Sequence, residues 1–131
     1  MEGYIIIDGD MYKNTTTNRG ITVLFQLSFT DVDIPPFGYI GVGLGATPPD
    51  ENDSALEYEI GRKEATFNHI PGSRSLVLSA TFPKDGIEGL ISEIGIFNKS
   101  HAGDMFARAL ISPPKWKERN KSFPIAWKFS L

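Results

Sequence analysis

Apolar and polar residues take turns along much of this chain. In Ile21-Thr22-Val23-Leu24-Phe25-Gln26-Leu27-Ser28-Phe29 every odd position is apolar, and the even ones are mostly polar. Successive side chains of an extended chain point to opposite faces, so this run predicts a half-buried strand. The last segment repeats the pattern, with Phe123, Ile125, Trp127, Phe129 and Leu131 on one face and Ala126, Lys128 and Ser130 on the other. Arg74–Phe82, Leu90–Phe97 and Asp104–Ser112 alternate in the same way, and Tyr4–Ile7, Tyr39–Leu44 and Ala65–His69 are shorter candidates. Between them fall Asn18-Arg19-Gly20, Pro35-Pro36-Phe37-Gly38, Pro71-Gly72-Ser73, Pro83-Lys84-Asp85-Gly86 and Pro113-Pro114, residues that supply fixed or positive φ. The pattern predicts an all-β fold, an antiparallel β-sandwich of about eight short strands.

One stretch departs from this period. After Pro48-Pro49, Asp53 or Ser54 offers a helix cap and Glu57 completes a capping box from Ser54. Acids crowd the first turn and Arg62-Lys63 close the last, matching the helix dipole, while Leu56 and Ile60 form one apolar stripe. A single short α-helix is therefore expected near residues 53–63, docked on the sandwich. No boundary or repeat divides the chain, so residues 1–131 are expected to form one domain.

Composition narrows the function classes. The chain has no cysteine, which excludes disulfides, thiolate metal sites and a cysteine nucleophile. The net charge of −3 gives no electrostatic reason to expect nucleic acid. The opening residues lack a basic stretch and a long apolar run, so no secretory signal is expected, and no apolar segment approaches a membrane span. Gly41-Val42-Gly43-Leu44-Gly45 invites a phosphate-loop reading, but Pro48-Pro49 and a run of acids follow it where a helix should begin. Glycines at alternate strand positions instead predict close approach of another backbone or layer. Asp8-Gly9-Asp10, Asp31-Val32-Asp33 and Asp50–Asp53 lack the order of a calcium loop and suit turns. His69 and His101 stand without a metal or nucleophile motif. No cofactor, metal or catalytic residue is expected, and the chain is not expected to be an enzyme.

Charges on inward faces are more informative. Glu93 shares a face with Ile91, Gly95 and Phe97, Arg108 shares one with Phe106 and Leu110, and Arg62 follows the apolar stripe of the expected helix. A carboxylate in apolar company must be neutralised, hydrogen-bonded or paired. Glu93 is expected to pair with Arg62 or Arg108 and tie the helix to the sheet; the alternative is that all three are rim residues facing water. Trp116, between Lys115 and Lys117 in an expected loop, ranks first as a subunit contact, then as core, then as a sugar platform.

Six strings in order add a resemblance. They are Tyr39-Ile40-Gly41-Val42-Gly43-Leu44-Gly45-Ala46-Thr47-Pro48-Pro49; Asp53-Ser54-Ala55-Leu56 with Glu59 and Arg62; Ser79-Ala80-Thr81-Phe82-Pro83; Gly89-Leu90-Ile91-Ser92-Glu93-Ile94-Gly95-Ile96-Phe97; Met105-Phe106-Ala107-Arg108-Ala109; and Ile125-Ala126-Trp127-Lys128-Phe129. Together they resemble a family of small virion domains in tail-fibre, baseplate and other tail-associated proteins of tailed bacteriophages. The likeness covers residues 39–131 of 131, and residues 1–38 have no counterpart in it. Ile94 departs from a usually small position, as does Lys121-Ser122-Phe123-Pro124 from a smoother start to the last strand. The resemblance implies a β-sandwich that attaches or assembles, in several copies, within a virion put together in the host cytoplasm. Expected partners are further copies of the chain and other virion proteins. The alternatives are a capsid decoration protein or a module that binds a host surface glycan.

Overall fold

The computed structural model describes residues 2–131. Among them are nine strands and one helix, and every strand pairing is antiparallel. Strands β1 (Glu2–Ile7) and β2 (Asp10–Thr16) form a hairpin, and helix α1 (Asn18–Phe29) follows. Then come β3 (Tyr39–Gly43), β4 (Glu59–Glu64), β5 (Thr66–Asn68), β6 (Ser75–Phe82), β7 (Gly89–Phe97), β8 (Met105–Lys117) and β9 (Phe123–Ser130). The strand order is β4-β3-β7-β8-β2-β1-β9-β6-β5.

The two layers of the expected sandwich are halves of one continuous sheet, rolled into a nearly closed barrel. Strand β2 makes one corner. Its first residues, Asp10–Lys13, pair with β1, and Asn14–Thr16 pair with β8. The opposite corner is Ala65, the single residue between β4, the edge of one half, and β5, the edge of the other. Its N–H donates to the Gly38 carbonyl, which fixes the bend. Asp8 and Gly9 both take positive φ, the geometry of a tight hairpin turn, so the first acidic candidate is a turn.

Period-two burial fills the interior. Gly3, Ile5 and Ile7 of β1 and Phe123, Ile125, Trp127 and Phe129 of β9 face inward, opposite Ile94 and Ile96 of β7 and Ala107 and Ala109 of β8. Trp127 stacks on Phe129, and Phe129 meets Phe106 edge-on with centroids 5.3 Å apart. The indole N–H of Trp127 donates to Asn14 Oδ1 at 3.0 Å, so the one polar atom of the largest core side chain is satisfied.

Two elements change places relative to expectation. Residues 21–29 are helical, because Gly20, Val23, Leu24 and Leu27 also repeat at the helical spacing. Thr17 caps the helix by accepting the Gly20 N–H, and its hydroxyl donates to the Met105 carbonyl. A Cβ on Gly20 would lie 2.5 Å from the Phe106 carbonyl oxygen, so glycine is what lets the helix touch β8. Phe25, on the expected inward stripe, lies exposed as a result, while Phe97 and Trp127 are buried. The expected helix near 53–63 is absent; residues 50–58 are loop and Glu59–Glu64 is β4. Strand β2 has no apolar alternation to announce it. Strand β8 runs on past Pro113-Pro114, where the ladder is interrupted between its pairing at Leu110 and at Lys115.

Candidate functional site

The outer face of β7 and β8 is roofed by residues 44–58, which cross it as a strap. Beneath the strap lies the pair Glu93–Arg108, both side chains almost wholly shielded from solvent. Arg108 Nε donates to Glu93 Oε1 at 3.1 Å, and Nη2 lies 3.1 Å from the same oxygen as an ion contact without hydrogen-bond geometry. Arg108 Nη1 donates to the Thr47 carbonyl at 2.9 Å and to Asp53 at 3.3 Å.

Glu93 is the hub. Its carboxylate also accepts the backbone N–H groups of Gly45, Glu57 and Tyr58 at 2.7, 2.8 and 2.7 Å. Those bonds give the physical reason that no helix forms here. The N–H groups a helix would direct at its own carbonyls are taken by a buried anion. Ser92 completes the hold by donating to the Gly45 carbonyl.

The glycine string now has its explanation. A Cβ at Gly43 would lie 2.4 Å from the Tyr58 carbonyl and 2.6 Å from Glu93 Oε2, and one at Gly45 would lie 2.5 Å from that same oxygen. The glycines clear space for a carboxylate of the chain itself.

Glu57, read as a capping-box acid, folds back to accept from the N–H groups of Ala46 and Thr47 and from the Thr47 hydroxyl. The Thr47 hydroxyl, ahead of the backbone donors, holds its carboxyl below the usual carboxylate range. Asp50 and Asp53 accept from Asn52 N–H and Asp50 N–H, ordinary turn bonds.

Arg62 does not meet Glu93. It forms a two-pronged pair with Glu59 at 2.7 and 2.8 Å, lies 3.6 Å above the Phe97 ring, and donates to the Lys99 and Ala102 carbonyls. It clamps the 98–104 loop. That loop is tied again by Asp104, whose carboxyl is pulled below its ordinary value chiefly by Arg19.

The Trp116 trio is divided. Trp116 is exposed and pairs across the strands with Leu90, also exposed. Lys115 Nζ donates to Asp10 at 2.8 Å, and that bond raises its pKa above the ordinary lysine value. Lys117 is buried, its ammonium donating to the Glu118 carbonyl, so it does not face outward with Trp116. His69 and His101 are both exposed; His69 Nε2 lies 2.9 Å from the Ser73 carbonyl oxygen. No local pattern marks Asn14, and a threonine ahead of a helix start is the one sign of the Thr17 cap. Among the described residues no three or more His, Asp or Glu side chains gather to hold a metal ion, and no helix is long and apolar enough to cross a membrane. No protein-family model, curated protein or solved structure matches the chain.

Proposed function

We propose that this chain is a non-enzymatic assembly domain of a bacteriophage particle, in the tail fibre, baseplate or an adaptor between them. The observation that carries the reading is what the buried charges bind. Glu93 and Arg108 are directed at each other and at backbone groups of the strap, so this buried pair maintains a shape. The six ordered strings add the virion context, and four of them, at 39–49, 53–62, 89–97 and 105–109, contribute to the strap and the strands under it. Contact with neighbours falls to exposed apolar residues, among them Trp116 and Leu90.

Immunogold labelling of purified particles tests this. Label on tails is the expected result, and particles without the protein rule the proposal out. Label on heads selects the decoration reading. The exposed indole of Trp116 favours a second reading, binding of a host glycan, which requires its emission to change on titration with surface polysaccharide; a flat titration removes it.

A further inference from the structure

We infer that the end of the barrel beside α1 is a self-association surface, and that its occupant is a second copy of this chain. An apolar groove of about 140 Å³ opens there, lined by Leu24 of α1, Phe67 of β5, Leu76 of β6 and Phe129 of β9 among others. Through Leu76 and Phe129 it continues into a hollow of about 100 Å³ bordered by His69, Arg74 and Leu131. Beside the groove α1 carries a pair of rings, Phe25 and Phe29, with centroids 6.3 Å apart. Phe29 is 81% exposed, Phe25 57% and Phe67 62%.

Helical geometry joins the pair to the groove. Each residue advances about 100° around the axis, so the apolar surface runs from Leu24 through Ile21 to Phe25 and Phe29. With Phe67 and Leu131 these rings leave on the order of 500 Å² of apolar surface in water. That matches the largest patches monomers tolerate, and such patches are commonly contact sites.

Charge selects the occupant. Asp31 and Asp33 follow the ring pair directly, while Arg74 and His69 border the hollow into which the groove continues. Asp31, Asp33 and Arg74 are in no ion pair among the described residues. One molecule therefore carries an apolar knob with free acids next to an apolar groove with a free base. A two-fold axis between them seats each copy's Phe25 and Phe29 in the other's groove, and sets each Asp31 and Asp33 against the other's Arg74. The inference goes beyond the virion proposal, since it concerns the isolated chain and holds whatever particle contains it.

Sedimentation of the purified chain from micromolar to near-millimolar concentration tests it. The mass should rise from 14.5 kDa to twice that value. Phe29→Ser should weaken association about tenfold or more, as loss of an aromatic anchor does. Arg74→Glu should weaken it as well, and adding Asp31→Arg with Asp33→Arg to that variant should restore it. Trp116→Ser should leave the dimer intact. All these positions are exposed, and unchanged thermal melts confirm that the variants fold. A chain that stays at 14.5 kDa throughout overturns the inference, as does a dimer indifferent to Phe29→Ser and Arg74→Glu. A monomer that takes an apolar dye in the groove without dimerising assigns the surface to another occupant and overturns it too.

Discussion

The 44–58 strap and helix α1 both lie against β8, and the chain fixes them by different means. The strap buries little apolar surface, chiefly Leu56 against Phe97 and Met105, and is held by directional bonds to Glu93 and Arg108. The helix is held by close contact at Gly20, by Val23 and by the Thr17 cap, and its other flank remains apolar and uncovered. Hydrogen bonds to a buried charge specify one backbone path and no other, at a desolvation cost. Apolar docking tolerates more arrangements and leaves surplus surface that a neighbour can cover. The strap region is finished within the molecule; the helix region is open to association.

The largest expected effect breaks the strap. Arg108→Ala leaves the Glu93 carboxylate buried without its counter-ion, a loss of about 3–5 kcal/mol. For a domain of this size that is roughly 10–20 °C in melting temperature, readable by circular dichroism. Glu93→Gln should cost less, because an amide oxygen still accepts some of the strap N–H groups. Negligible shifts in both would show that the pair does not anchor the strap.

Gly20→Ala is the matching test at the helix. Alanine favours a helix over glycine by up to about 1 kcal/mol, so propensity alone calls for stabilisation. The clash with the Phe106 carbonyl opposes it, and net destabilisation of about 1–3 kcal/mol is expected in urea unfolding. A more stable variant would mean that the helix slides freely on β8. Thr17→Ala should follow at about 1 kcal/mol, the usual cost of a lost N-cap.

The smallest effect is a dependence on acid. Glu57 in the strap and Asp104 in the loop bonded to Arg19 of α1 both titrate below their ordinary values of 4.5 and 3.8. Lowered folded pKa values contribute stability that is complete above the ordinary value and is lost as pH falls through the folded one. Melting temperature should therefore decline below about pH 4.5. Glu57→Gln should flatten the upper part of that decline and Asp104→Asn the lower part. Parallel curves for all three proteins would detach these carboxyls from it.

Much of the barrel is legible in alternation alone. Strands β1, β3, β5, β6, β7 and β9 lie within a few residues of the apolar stripes that announce them; β1, β6 and β9 each have one dry face, β3 and β7 are covered on both, and β5 is exposed throughout. The burial of Glu93 and Arg108 is legible too, since a charge among isoleucines and phenylalanines has few other fates. What local pattern could not supply is context from distant residues. Residues 21–29 satisfy the strand and helix periods at once, and only the glycine fit against Phe106 and the Thr17 bond to Met105 decide between them. Residues 53–60 carry every local mark of a helix, yet Glu93 lies 35 residues from Tyr58 along the chain and claims its N–H. The length of β8 was hidden by two prolines that sit where its ladder is interrupted.

The placing of β1 has a consequence for the order of events during synthesis. Of the nine strands, the earliest in the chain lies in the sheet between β2 and β9, so its second neighbour is the latest of the nine. Until Phe123–Ser130 has left the ribosome, the apolar row of the opening hairpin has no lid, and Ile5 and Ile7 stay wet or find a chaperone. Closure across nearly the whole chain makes the finished barrel a late and slow product, as high contact order generally does.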